Sequence, residues 1–137
     1  MSKLSIYRVI DANLNRLREG VRVAEEVFRF IYENESLALS LKKIRHEVMA
    51  IEQSLDEKQL LLARDSSGDM FSVGMEAKES SRKNIEVLLK ANLRRSQEAA
   101  RVLEEFLKMS DAPESAEIAK VIRFTLYQIE KEWSVHA

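Results

Sequence analysis

The chain has 137 residues, 45% of them hydrophobic, 33% charged and 7% aromatic, which fits one compact domain spanning residues 1–137. Lysine and arginine total 22 against 23 aspartates and glutamates, a formal net charge of −1, so the broad positive field of nucleic-acid and membrane-surface binders is absent. With no cysteine and only His46 and His136, disulfide frameworks, thiol chemistry and thiolate zinc sites are excluded. Chemistry here must run on Arg, Lys, Asp, Glu, Asn and backbone.

The opening MSKLSIYRVIDANLN has no apolar signal core, and no stretch approaches the roughly 18 apolar residues of a membrane span. The expectation is a cytoplasmic protein with neither a membrane nor a nucleic-acid partner. Three glycines and one proline are too few for a sandwich or barrel, so the expected fold class is all-α.

Ile6, Ile10, Leu14, Leu17, Val21, Ala24, Phe28 and Ile31 recur at spacings of three and four and predict one helix from Ile6 to about Ile31. After NENES, Leu37, Leu41, Ile44, Val48 and Ile51 predict a second helix to about Ser54. Ser54 and Glu57 have the form of a capping box, which starts a short third helix through LLLA. The loop RDSSGDMFSVG, Arg64 to Gly74, follows. A long helix is expected from about Glu79 to Met109, and after SDAP a last one carries Ile118, Ile122, Leu126, Ile129 and Trp133.

Residues 10–28 laid over residues 89–107, an offset of 79, are identical at nine of nineteen positions. The following helices match at offset 78 through Lys42/Lys120, Ile44/Ile122, Arg45/Arg123, Ile51/Ile129 and Glu52/Glu130. The expected architecture is therefore a duplicated helical hairpin, a bundle with pseudo-twofold symmetry. Its repeats span residues 6–54 and 85–133, joined by a short helix and the loop 64–74. A duplicated scaffold needs only its apolar pattern, yet polar residues are what it keeps. Asn13, Arg16, Glu19 and Glu26 lie on the shoulder of the apolar stripe, with Asn92, Arg95, Glu98 and Glu105 as their counterparts. If the long helices pack about the axis, the two strips face each other across a polar groove suited to a polyanionic small molecule. The plainer reading makes them surface ion pairs and interhelical hydrogen bonds.

Elsewhere, Asp65 and Asp69 are four apart in the loop and have the oxygen chemistry of a Mg2+ site, though the same residues make ordinary turns. Lys78, Arg82 and Lys83 follow the loop as either a solvated basic turn or an anion site. Arg45 and Arg123 sit beside the apolar stripes of the return helices, where an arginine either snorkels or reaches into a site. His46 is expected to pack rather than catalyse. No GxxxxGK[ST], GxGxxG or GxSxG motif occurs.

DANLNRLREGVRVAEE and ANLRRSQEAARVLEEF, joined by LLLARDSSGD and SVG, resemble a small all-helical kinase family of bacterial thiamine biosynthesis. Its members occur alone or fused ahead of thiamine phosphate synthase and phosphorylate hydroxymethylpyrimidine phosphate to the diphosphate. The resemblance implies ATP and Mg2+ as cofactors, a phosphorylated pyrimidine as substrate, and a stand-alone form of the domain, with a homodimer open as an alternative to a monomer. On the positions where the pattern coincides, Arg16, Arg95 and Arg64 are expected as the catalytic residues that neutralise phosphate, with Arg45 and Arg123 as further candidates for that task. Arg45, Arg123, Asn13, Asn92, Glu19 and Glu98 are expected to bind substrate or nucleotide, and Asp65 and Asp69, or else Glu19 and Glu98, to bind metal. SSGDMFSVG is longer than the family's DxxGDxG-like spacing. Competing readings are a non-catalytic helical interaction or regulatory module of thiamine metabolism, and an arginine-lined enzyme that works without nucleotide.

Overall fold

A computed structural model describes residues 2–71 and 84–136, and among them the chain is all-helical. Helix α1 spans Lys3–Glu26 and runs on into a π turn, Val27–Ile31; α2 spans Glu35–Gln53, α3 Glu57–Ala63, α4 Ile85–Leu107 and α5 Ser115–His136. Among the described residues, no helix is long and apolar enough to cross a membrane.

The three-four spacing puts Ile10, Leu14, Leu17, Val21, Ala24 and Phe28 of α1 on one buried face, and Leu89, Leu93, Ala100, Leu103 and Leu107 of α4 on another. These faces meet Leu41, Ile44, Val48 and Ile51 of α2 and Ile122, Leu126 and Ile129 of α5 in one core. The largest interface is α1 on α4, followed by α4 on α5 and α1 on α2. A helical hairpin is thus formed twice, and the long helices of the two hairpins pack on each other. They run antiparallel: Tyr7 near the start of α1 donates to Asp111 Oδ2 just past α4 (2.9 Å), while Gly20 in the second half of α1 lies against Asn92 and Ser96 in the first half of α4.

The repeat is visible in the contacts as well as in the residues. Asn13 Nδ2 donates to the Val9 carbonyl and Asn92 Nδ2 to the Leu88 carbonyl, each one turn back in its own helix (2.9 and 2.8 Å). Arg45 forks onto Glu25, and Arg123 forks onto Glu104. Glu52 of α2 takes Arg18, whereas its counterpart Glu130 takes Gln97 and Arg94.

Several local expectations change. The first helix does not stay α-helical to Ile31: its last turn widens, with the Tyr32 N–H reaching Val27 O (3.0 Å) and the Asn34 N–H reaching Phe28 O (2.8 Å). Glu33 at φ 52° then reverses the chain, and the Asn34 side chain caps α2 through the Leu37 N–H (3.0 Å). Ser54 is not the cap of α3. Asp56 is, accepting from the Lys58 N–H (3.0 Å), because the Ser54 hydroxyl is already engaged by Ile51 O and Ser115 Oγ, the latter at 2.7 Å. Asn84 caps α4 through the Val87 N–H (2.9 Å), and the expected stretch Glu79–Lys83 lies outside the described residues. So do Gly74, Lys78, Arg82 and Lys83 as candidate loop and anion-site residues. His46 is exposed rather than packed.

Candidate functional site

Among the described residues, α1 and α4 touch directly where Gly20 meets Ser96, and no groove separates them at that level. Gly20 and Ser96 are small, so the two helices dock in direct contact; a Cβ at Gly20 would overlap Ser96 Oγ and stand 3.1 Å from the Asn92 carbonyl oxygen. Because the helices are antiparallel, Asn92 lies beside Gly20. That is seven residues, or about 10 Å of helix, from its counterpart Asn13. Both asparagine amides spend one of their two N–H donors on their own helix. The other end of the Asn13 amide is also engaged, its Oδ1 accepting a long bond from Arg16 Nη1 (3.4 Å).

Three of the arginines expected at phosphates are each forked onto a buried carboxylate. Glu25 and Glu104 are buried, and a buried carboxylate without a cation would cost several kcal/mol. Arg45 and Arg123 meet that need with bidentate bonds, including 3.0 Å from Arg45 Nη2 and 2.9 Å from Arg123 Nη2. The hydrogen bonds to Glu25 and Glu104 raise both guanidinium pKa values further above the ordinary arginine range. Arg64, at the end of α3, forks onto the buried Asp11 of α1 at 2.8 and 2.7 Å, and this bond raises its pKa too. The loop is thereby tied down to α1, and Arg8 adds a bond to the Asp65 carbonyl (3.2 Å).

Within the loop, Asp65 Oδ1 accepts from the Gly68 N–H (2.9 Å) and from Ser67 Oγ (3.2 Å), and Asp69 Oδ1 accepts from the Phe71 N–H (2.9 Å). These are side-chain turns, and Asp65 Oδ2 lies against Gly68 with Arg8 Nη2 4.0 Å away. No group of three metal-ligating side chains gathers among the described residues.

The remaining polar residues of the repeat behave differently from the rest. Arg22 pairs with Glu26 at 3.1 Å, and Arg101 with Glu105 at 3.1 Å and Glu104 at 3.7 Å. Arg16, Glu19, Arg95 and Glu98 are exposed and enter no ion pair among the described residues. They belong to a second seam of three-four spacing on the outer side of α1, made of Val9, Ala12, Arg16, Glu19, Val23, Glu26 and Phe30. Its copy on α4 is Leu88, Ala91, Arg95, Glu98, Val102, Glu105 and Met109. None of these fourteen residues is buried. Five of the nine identities between the long helices, Ala12, Arg16, Glu19, Val23 and Glu26, lie on this seam. Sequence reasoning misses the apolar members; the signal that could have found them is the second heptad stripe beside the core stripe.

At the Phe30 end of the seam is a cavity of about 870 Å3. Val23, Val27, Phe30 and Ile31 line it together with Met49 of α2 and Ile85 and Leu88 of α4, and Arg18, Glu19, Arg22, Glu26 and Arg45 form its rim. Its arginines are matched by carboxylates: Arg18 by Glu52, Arg22 by Glu26 and Arg45 by Glu25. It is an apolar hollow with a charge-balanced edge.

Fold and surface together define a duplicated all-helical protein whose twinned arginines and carboxylates, Arg16, Glu19, Arg95 and Glu98, are exposed and enter no ion pair among the described residues. The chain belongs to the ThiD2 family, whose pattern matches residues 8–132. Among curated proteins, a thiamine-phosphate synthase from Synechocystis sp. is 40% identical over 129 residues, 94% of this chain and 36% of the relative. Others of that name from Nostoc punctiforme and Rhodopirellula baltica are 38% and 36% identical, over 96% and 93% of this chain and 36% and 34% of their own length. The chain thus spans about a third of the length of these relatives. No solved structure matches it.

Proposed function

We propose that the chain acts in thiamine biosynthesis as a kinase that transfers a phosphoryl group from ATP to hydroxymethylpyrimidine phosphate, giving the diphosphate. The observation that carries this reading is the cluster of Arg16, Glu19, Arg95 and Glu98. Twinned, exposed and without ion pairs among the described residues, these side chains do nothing for the fold that the other repeated charges do. Family membership and the name of the relatives supply the pathway.

The chemistry suits a site with no histidine or cysteine. A phosphate monoester has its second pKa near 6 and is largely a dianion at neutral pH, so the acceptor oxygen needs no general base. The obstacle is repulsion between two polyanions: unit charges 4 Å apart repel by about 4 kcal/mol at an effective dielectric of 20. Arg16 and Arg95 offset that charge, and Asn13 Oδ1 positions the Arg16 guanidinium. Asp65 and Asp69 would offer Mg2+ a pair of carboxylates, the kind of donor set that holds this ion jointly with substrate phosphates, with Asp65 Oδ2 exchanging its contact with Arg8 for the ion. Mg2+ bound there supplies further charge neutralisation. Arg64 holds the start of that loop to Asp11, five residues or about 7.5 Å of helix from Arg16.

Coupled detection of ADP formation from ATP, Mg2+ and hydroxymethylpyrimidine phosphate tests the reading. Wild type turns over, while Arg95→Ala and Arg16→Ala lose turnover at least about 100-fold with their melting temperatures nearly unchanged, as expected for a charge-stabilising donor. Full activity in both variants sinks the proposal. A second reading, a helical module that assists thiamine-phosphate synthase without reacting, draws on the relatives' length. Absence of ADP formation by the wild type, together with binding to that enzyme, favours it.

A further inference from the structure

The outer seam of α1 and α4 is the surface on which a second copy of this chain docks, we infer, so that the cluster of Arg16, Glu19, Arg95 and Glu98 lies enclosed between two chains rather than within one. The seam has the three-four spacing of a helix-packing face, and while Val9, Ala12, Leu88, Ala91 and Val102 are half-buried, Val23, Phe30 and Met109 are exposed, Phe30 at 63% and Met109 at 50%. It carries the same residue types on both helices, in antiparallel order, so the face is close to twofold symmetric in itself.

Symmetry selects the occupant. An unrelated partner has no need of a face that repeats itself, whereas two identical chains meeting about a twofold axis require self-complementarity. The unpaired charges have it. Two arginines and two glutamates sum to zero, and a copy laid face to face sets Arg16 and Arg95 of one chain against the partner's Glu19 and Glu98, with Val23 and Val102 packing to either side. The apolar hollow with its balanced rim continues the seam at the Phe30 end and gives that contact an anchor pocket.

The role of the resulting cleft as a phosphate site rests on the kinase reading; the docking surface does not.

Light scattering coupled to size exclusion tests the surface directly. Wild type at micromolar concentration runs at twice the chain mass, and Val23→Glu with Phe30→Glu halves it while the helical circular dichroism persists, since both sites are exposed. A second measurement does not depend on that variant folding: in this cysteine-free chain, Val23→Cys with Val102→Cys forms disulfide-linked dimers on mild oxidation, and Lys43→Cys on the exposed side of α2 does not. A wild type of single-chain mass, or cross-linking no faster than the Lys43→Cys control, overturns the inference. ADP formation measured on the same samples separates the two proposals: a dimer without turnover removes only the kinase, and an active monomer removes only the docking surface.

Discussion

Gly20 of α1 lies directly on Ser96 of α4, whose buried hydroxyl turns back to bond the Asn92 carbonyl at 2.8 Å. An alanine at position 20 favours the helix by up to about 1 kcal/mol in propensity. Its methyl group, however, overlaps the Ser96 hydroxyl, which must leave its bond to the Asn92 carbonyl to make room, and overpacking of this kind costs about 1–3 kcal/mol. Gly20→Ala is therefore expected to destabilise by about 1 kcal/mol net. Adding Ser96→Ala removes the overlapping oxygen and recovers most of the loss. Urea denaturation of the two single variants and the pair measures this; additive losses would show that the close approach is not the cause.

The two buried glutamates are expected to separate sharply from the exposed ones. Arg45→Ala leaves the buried Glu25 without its cation, at about 3 kcal/mol or more, whereas Arg123→Ala leaves the buried Glu104 with only the longer contact to Arg101 and costs somewhat less. Arg22→Ala removes only an exposed partner of Glu26 and costs at most about 0.5 kcal/mol. Glu25→Leu combined with Arg45→Leu restores much of the stability that the single change loses, since an apolar pair needs no compensation. Denaturant midpoints decide the matter. If Arg45→Ala is as stable as wild type but loses turnover, the ligand role that the sequence suggested for Arg45 is reinstated.

That contrast marks how far the sequence could be read. The core of α1 is legible because Ile10, Leu14, Leu17 and Phe28 follow the helical period, and the second hairpin repeats the pattern. What Arg45 does is not legible from its place beside Ile44, because a fork onto Glu25 is a contact between helices. A trace of it is present all the same: Glu25 and Arg45 reappear together as Glu104 and Arg123, at offsets of 79 and 78, as two halves of one interaction would. The relation of Asn13 to Asn92 is out of reach, because the direction in which the two long helices meet is set by packing at Gly20 and Ser96 and not by either helix's own period. The π turn at Val27–Ile31 escapes for a related reason: shifting a few hydrogen bonds by one residue barely disturbs the spacing of the apolar residues.

Acid should loosen the second hairpin through Glu130. Burial pushes this carboxyl up, but the hydrogen bonds from Arg94 (3.1 Å) and Gln97 (2.8 Å), with the nearby charges of Arg94 and Lys90, outweigh it and hold the pKa below the ordinary 4.5. A carboxylate whose folded pKa is depressed stabilises the fold above its unfolded value, and that contribution is lost as the pH falls through the folded one. Stability attributable to Glu130 is therefore intact above about pH 4.5 and declines below it. Arg94→Leu should flatten this part of the profile. Thermal melts of wild type and Arg94→Leu between neutral pH and pH 3 check the sign, and identical profiles would show that Glu130 has no part in acid unfolding.

The loop aspartates allow the metal proposal to be separated from the fold. Asp65→Asn and Asp69→Asn each keep an amide oxygen that can accept from the Gly68 and Phe71 N–H groups, so the turns and the melting temperature should survive. An amide is a far poorer ligand than a carboxylate for a hard cation, so a Mg2+ ion held here would bind more weakly. The expected result is a higher Mg2+ concentration for half-maximal ADP formation in each variant, with the acceptor KM moving less. Arg64→Ala serves as the contrasting case: it frees the loop from Asp11 and leaves that buried carboxylate unpaired, so it should lower the melting temperature as well as the activity. Unchanged Mg2+ dependence in both asparagine variants would move the metal away from the loop and leave Glu19 and Glu98 as the carboxylates nearest the arginine cluster.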